Sequence, residues 1–312
     1  MIVARSLIPF AICYDFDGTL APGNMQERDF IPSIQMTTKS FWTEVKQRCE
    51  IHNADNILIY MGLMLEKAKA AHVSVRKTDF SNYGHQLSFF PGVDDWFSRI
   101  NKYGKDSGLR VTHHIISSGI REMIAGTKIA KYFKDIYASS FCYDHHGVAE
   151  WPALALNYTT KTQYLFRINK GVHQVYDHAK INDFVPHDKR PVPFSHIVFI
   201  GDGETDIPCF RLVKEQGGHS IAVFRPHTAA AKARSEQILN DGRVQFVAPA
   251  DYSESKTIDR IIKSIMEKVA ASEHLKSLEW RAPKRRQTSK RAKSSEKIPM
   301  PINGSGDLAL DS

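Results

Sequence analysis

Apolar and polar positions fall into blocks of two lengths along this chain. Short apolar runs at Phe10–Phe16, Arg110–Ser117, Ile136–Ser139, Ile197–Ile200, Ser220–Phe224 and Val244–Val247 predict strands. Longer stretches between them predict helices over Arg121–Phe133, Lys161–Asn169, Val175–Phe184 and Asp206–Glu215. Phe141–Val148, with a polar centre, predicts a hairpin. Strands alternating with helices imply an α/β fold, a doubly wound parallel sheet covered on both faces.

One interval breaks this rhythm. Roughly ninety residues separate the first two strands, far more than a βα crossover of a few tens of residues needs. Much of the interval has a helical pattern, at Phe41–Cys49, Ile57–Ala71 and, after Pro91-Gly92, Val93–Tyr103. The expected organisation is a core of residues 1–20 and 105–280, a helical insertion over 21–104, and a tail over 281–312. Open α/β sheets bind ligands beyond the carboxyl ends of their strands, so an insertion after the first strand would sit over the site as a lid. Its aromatic residues, Phe41, Trp42 and Tyr60, are expected in its own core.

The charge lies mostly in the tail. Of the formal +8, segment 281–297 carries +7, leaving a nearly neutral body. The tail is rich in Lys, Arg, Ser, Pro and Gly and has no apolar period, so it is expected to be disordered. It could touch nucleic acid through counterion release, but it lacks interleaved aromatics for base stacking. The body, in a chain 42% hydrophobic and 24% charged, has a globular composition. No stretch approaches the ~18 apolar residues of a membrane span, and Leu7–Tyr14 lacks a cleavage pattern, so no membrane contact is expected. Cys13, Cys49, Cys142 and Cys209 lie far apart without a paired motif, which fits a reducing, cytoplasmic setting.

Four polar groups stand where strands or helices end. Asp15-Phe16-Asp17-Gly18-Thr19 follows the first strand; residues two apart in extended chain point the same way, so two carboxylates converge there. Their repulsion favours a cation, and Gly18 permits a sharp turn. Gly201-Asp202-Gly203-Glu204-Thr205-Asp206 follows Ile197–Ile200, and Asp206 also suits a helix cap. Asp15 and Asp202 on neighbouring strands would offer oxygen ligands to a hard cation such as Mg²⁺. Ser117-Ser118-Gly119 places a hydroxyl and free N–H groups before a helix, where an anion can be cradled. Lys161 opens a predicted helix, where a cation is unfavourable unless an anion faces it; Lys170, before Gly171, suits ordinary C-terminal capping and is the alternative. Adjacent histidines at 113–114 and 145–146 point to opposite faces if extended, which is poor geometry for one metal ion.

Taken in order, these motifs resemble the haloacid dehalogenase superfamily, and most of all its phosphoserine-phosphatase-type branch, which carries a helical cap between the first two motifs. The resemblance spans roughly residues 8–250 and implies a Rossmann-like core. It implies that Asp15 attacks phosphorus, that Asp17 protonates the leaving oxygen and later activates water, and that Ser117 and Lys161 bind the transferring group. It further implies Thr19, Ser118 and Gly119 beside the substrate, and Mg²⁺ held by Asp15, the Asp17 backbone carbonyl and Asp202, with Asp206 in support. The expected activity is Mg²⁺-dependent hydrolysis of a small phosphorylated metabolite through an aspartyl-phosphate. A phosphotransferase or phosphomutase on the same fold, and a non-catalytic regulatory protein using the basic tail on nucleic acid, are the alternatives. Phosphoserine phosphatases recognise the amino acid with a Glu soon after the first motif; Glu27 and Arg28 do not match its spacing, so the resemblance does not fix the substrate.

Overall fold

The computed structural model describes residues 7–281. The tail beyond Arg281, with its expected disorder and nucleic-acid contact, lies outside the described residues. No described helix is long and apolar enough to cross a membrane.

The strands are β1 (Ile8–Tyr14), β2 (Leu109–Ile120), β3 (Phe133–Tyr143), β4 (Ala149–Leu154), β5 (Ile197–Gly201), β6 (His219–Phe224) and β7 (Phe246–Pro249). They form one sheet in the order β4-β3-β2-β1-β5-β6-β7, parallel except for the β3–β4 pair. The chain builds outward from β1 through β2, β3 and β4, then returns to the other side of β1 with β5. The carboxyl ends of β1 and β5 therefore flank the topological switch point, the usual ligand crevice of such sheets.

Strand β5, Ile-Val-Phe-Ile-Gly, is buried at every position, as a central parallel strand with two covered faces requires. Alternate residues feed different cores: Phe10, Ile12 and Tyr14 of β1 join one cluster, while Ala11 and Cys13 join the other. His113 and His114 divide the same way. His113 Nδ1 meets the Tyr14 hydroxyl at 2.9 Å, whereas His114 Nδ1 meets Asp135 Oδ2 at 2.9 Å.

The interval between β1 and β2 holds six helices: α1 (Met25–Arg28), α2 (Phe30–Ser33), α3 (Thr38–His52), α4 (Asn56–Ala70), α5 (Lys77–His85) and α6 (Val93–Asp106). The amphipathic helix α6 buries Trp96 against the sheet, and its indole N–H donates to the Tyr14 hydroxyl at 2.8 Å. The later helices are α7 (Arg121–Ala125), α8 (Lys161–Lys170), α9 (His178–Asn182), α10 (Ile207–Glu215), α11 (Ala229–Asn240) and α12 (Thr257–Arg281).

Two predicted helices are shorter than their sequence pattern. The stretch expected over 121–133 stops as α7 at Ala125, because α5 packs closely there: a Cβ on Gly126 would overlap the Ser81 backbone. The stretch expected over 175–184 shrinks to α9, because Arg167 takes the carbonyls of Gln174 and Val175 at 2.7 and 2.9 Å. The same contact surface explains Gly84 on α5, where a Cβ would overlap the Met123 carbonyl. Gly84→Ala is expected to cost about 1–3 kcal/mol by overpacking, read as a lower urea midpoint with an unchanged slope.

Candidate active site

The first motif turns at the end of β1. The Asp15 amide donates to the Ile200 carbonyl at 2.9 Å, so β5 fixes where Asp15 leaves the sheet. Asp15 Oδ1 accepts the Phe16 amide at 2.7 Å and its Oδ2 accepts the Lys161 ammonium at 2.8 Å. Asp17, two residues on, accepts the Met25 amide at 3.0 Å. Burial, then the charge of Asp15, pushes the Asp17 carboxyl well above the ordinary carboxylate range. A carboxyl shifted in that direction favours its protonated form, which suits a general acid.

Between them and β5 lies Gly18, at φ +71°, where a Cβ would overlap the Asp202 carboxylate. Glycine is thus required twice, for the left-handed turn and for the approach of Asp202. Gly18→Ala is expected to destabilise by more than about 1 kcal/mol by straining the turn and displacing Asp202, measured by calorimetry.

Lys161 is fully buried and also donates to Asp206 Oδ1 at 2.8 Å. Burial depresses its ammonium pKa, but the charges of Asp15 and Asp206 outweigh that and leave it raised. Its position is set by the loop before α8, where Asn157 Oδ1 accepts the amides of Thr159 and Thr160 at 3.1 and 2.9 Å. The same Asn157 donates to Asp55, the residue capping α4, at 2.9 Å, which joins the inserted helices to the lysine loop. Lys170 faces elsewhere and donates to the carbonyls of Ile181 and Asp183 at 2.7 and 2.8 Å.

Asp206 accepts the amides of Asp202 and Gly203 on Oδ2, at 3.1 and 3.4 Å. With both oxygens engaged, it orients Lys161 and the Asp202 loop. One carboxylate oxygen from each of Asp15, Asp202 and Asp206 lies within 4.8 Å of the others. Burial, then the charges of Asp206 and Asp15, raises the Asp202 carboxyl well above its usual value. Four carboxyl groups gather around one ammonium, and a hard divalent cation would relieve the mutual repulsion that raises Asp17 and Asp202; their oxygens fit such an ion.

Across the crevice, β2 pairs with β3 at Ser117↔Ala138 and then at Ile120↔Ser139. This irregularity takes Ser118 and Gly119 out of the ladder at the strand end. The buried Ser117 hydroxyl accepts the Gly119 amide at 3.2 Å, and Gly119 has no room for a side chain between Met25 and Asp17 Oδ2. Asp15, Asp17, Ser117, Ser118, Gly119 and Asp202 line one cavity of about 790 Å³. Thr19 does not: it is fully buried behind the turn, where its carbonyl accepts the Tyr252 hydroxyl at 3.0 Å.

Residues 12–211 match the model of the haloacid dehalogenase-like hydrolase family. The chain belongs to this family. An uncharacterized protein of Borreliella burgdorferi is 30% identical over 289 residues, spanning 84% of this chain and 97% of that protein. The fold is shared with a haloacid dehalogenase family hydrolase from Salmonella enterica serovar Typhi, at 16% identity and a TM-score of 0.52, over 84% of this chain and 72% of the other. A substrate-bound phosphoserine phosphatase aligns at 13% identity and a TM-score of 0.48, over 82% and 98% of the two chains.

The rest of the hydrolase's cavity comes from residues that no motif marked. Trp42 and Tyr60, expected only in the core of the inserted helices, also line it, and the Tyr60 hydroxyl donates to the Ser118 carbonyl at 2.6 Å. Gln26 lines it from α1, Arg225 from the loop after β6, Arg234 from α11 and Glu204 from the loop after β5. Cys209 is buried, and burial pushes its thiol up, so it is no nucleophile.

Proposed function

We propose that this hydrolase removes the phosphoryl group from a small phosphomonoester through an aspartyl-phosphate on Asp15. One observation carries the reading: Asp15 and Asp17 open into the same cavity, the first charge-paired with Lys161, the second disposed by burial to hold a proton. An Asp15 oxygen forms the new O–P bond as the bond to the leaving alcohol breaks, and Asp17 gives that alcohol its proton. Asp17, now ionised, takes a proton from water, and the attack of that water on phosphorus returns the Asp15 carboxylate and inorganic phosphate. Ser117, its hydroxyl oxygen held by the Gly119 amide, donates to the transferring oxygens, and Lys161 offsets their charge. Mg²⁺, held by Asp15, the Asp17 backbone carbonyl and Asp202 with Asp206 behind, would supply the positive charge that lets a carboxylate approach a phosphate. The inserted helices, residues 21–104, act as the cap that selects the leaving group.

Phosphate release from phenyl phosphate is expected to need Mg²⁺, to fall at least about 100-fold with EDTA, and to return with excess metal. Absence of release from every phosphomonoester tried with Mg²⁺ overturns the reading.

A further inference from the structure

We propose that the leaving alcohol is an uncharged polyol, so that the substrate is a sugar or sugar-alcohol monophosphate read by the carboxamides of Gln26 and Asn56. The inference rests on the phosphatase reading above and narrows it to a substrate class.

Gln26 is the key observation. Its side chain is only 2% exposed, it lines the cavity, and its Oε1 has no hydrogen-bond partner. A buried amide oxygen without a donor costs about 1–3 kcal/mol, and an O–H from the leaving group would remove that cost. Asn56, at the start of α4, adds a second carboxamide to the same wall. A carboxamide both donates and accepts, which matches a hydroxyl that does the same. The rings of Trp42 and Tyr60 complete this wall as apolar surface for carbon-bound hydrogens.

Among the described residues, those that α1 to α4 contribute to the cavity carry no charge. The two charges that follow Gln26 in α1 do not line the cavity and are engaged elsewhere. Glu27 Oε1 accepts Asn24 Nδ2 at 2.7 Å and Trp42 Nε1 at 2.8 Å, and Arg28 donates to Ser88 at 3.0 Å. An amino-acid leaving group would bring an ammonium and a carboxylate to a wall that pairs with neither, and unpaired charge is costly to bury. Glu204, Arg225 and Arg234 also line the cavity, but all three are exposed, where water screens their charges.

The test compares kcat/KM of the full chain with Mg²⁺ on hexose, hexitol and glycerol monophosphates, phosphoserine, a nucleoside monophosphate and phenyl phosphate. The best polyol phosphate is expected to exceed phosphoserine by at least about 100-fold. Gln26→Leu should cut the polyol-to-phenyl ratio of kcat/KM about 100-fold, and Asn56→Leu, at an exposed position that tolerates change, about 10-fold. Phosphoserine or the nucleotide matching every polyol phosphate overturns the proposal, as does an unchanged ratio in Asn56→Leu and in any folded Gln26→Leu. Phenyl phosphate hydrolysis alongside such a result leaves the phosphatase reading standing. Silence on the whole panel brings down both.

Discussion

Asp15→Asn is expected to lower turnover at least about 10⁴-fold while the protein stays folded. The amide cannot form the acyl phosphate, and no second carboxylate can replace it. Asp17 is held by the Met25 amide, and Asp206 has both oxygens engaged with Lys161 and the Asp202 loop. The loss should sit in kcat, because the groups facing the phosphoryl remain. Stability should not fall in step. The charge of Asp15 is one cause of the raised Asp17 and Asp202 carboxyls, so its removal relieves repulsion among neighbouring acids. Against that, the variant gives up the buried ion pair between Asp15 and Lys161, which keeps Asp206, so in metal-free buffer the melting temperature is expected to change little. Incubation of the wild type with labelled substrate should leave acid-stable, base-labile phosphate on the protein, and the variant should leave none. Full activity in Asp15→Asn ends the aspartyl-phosphate mechanism.

Sequence makes the placement of these groups partly legible because parallel strands end on the same side. Asp15, Ser117 and Asp202 each follow an apolar run, and neighbouring parallel strands bring such ends together. The runs themselves were plain wherever strands are buried on both faces, as in β5. Helices were harder. Arg121–Phe133 has helical residues throughout, yet α7 ends where α5 needs backbone contact at Gly126, a tertiary demand that local pattern does not encode. Two helices lie outside the sequence expectation: α11 opens on three alanines with little apolar contrast, whereas α12 carries a legible apolar stripe, Ile258, Ile262, Ile265, Met266 and Val269, buried against the body. In the site, Asp206 looks like a helix cap and does cap the Asp202 loop, but its second bond, to Lys161, joins residues 45 apart in sequence. Gln26, Trp42 and Tyr60 have no motif because their part in the cavity depends on how the inserted helices fold over the sheet.

Lys161→Met is expected to show how far the site depends on that buried ammonium. Methionine keeps the length and loses the charge, so Asp15 and Asp206 are left without a counter-charge in a buried setting. Breaking a buried ion pair from one side costs about 3–5 kcal/mol. The cost should depend on pH in a definite direction. Burial pushes the Asp206 carboxyl up to about 6 even against the pull of Lys161, and loss of that pull raises it further. A carboxyl raised above its unfolded value of about 4 does not destabilise when both states are protonated, and destabilises increasingly as pH climbs through the folded value. The gap between wild type and variant should therefore be small near pH 4 and full above pH 7, as read from urea midpoints at each pH. Turnover should fall about 10³-fold, because the nucleophile loses its orienting charge and the transferring phosphoryl loses a cation. Lys170→Met is the matched control. It removes the same charge from the other end of α8, where the ammonium holds only the carbonyls of Ile181 and Asp183. Turnover within about threefold of wild type is expected there. Normal activity in Lys161→Met with a dead but folded Lys170→Met would reverse the assignment of the two lysines.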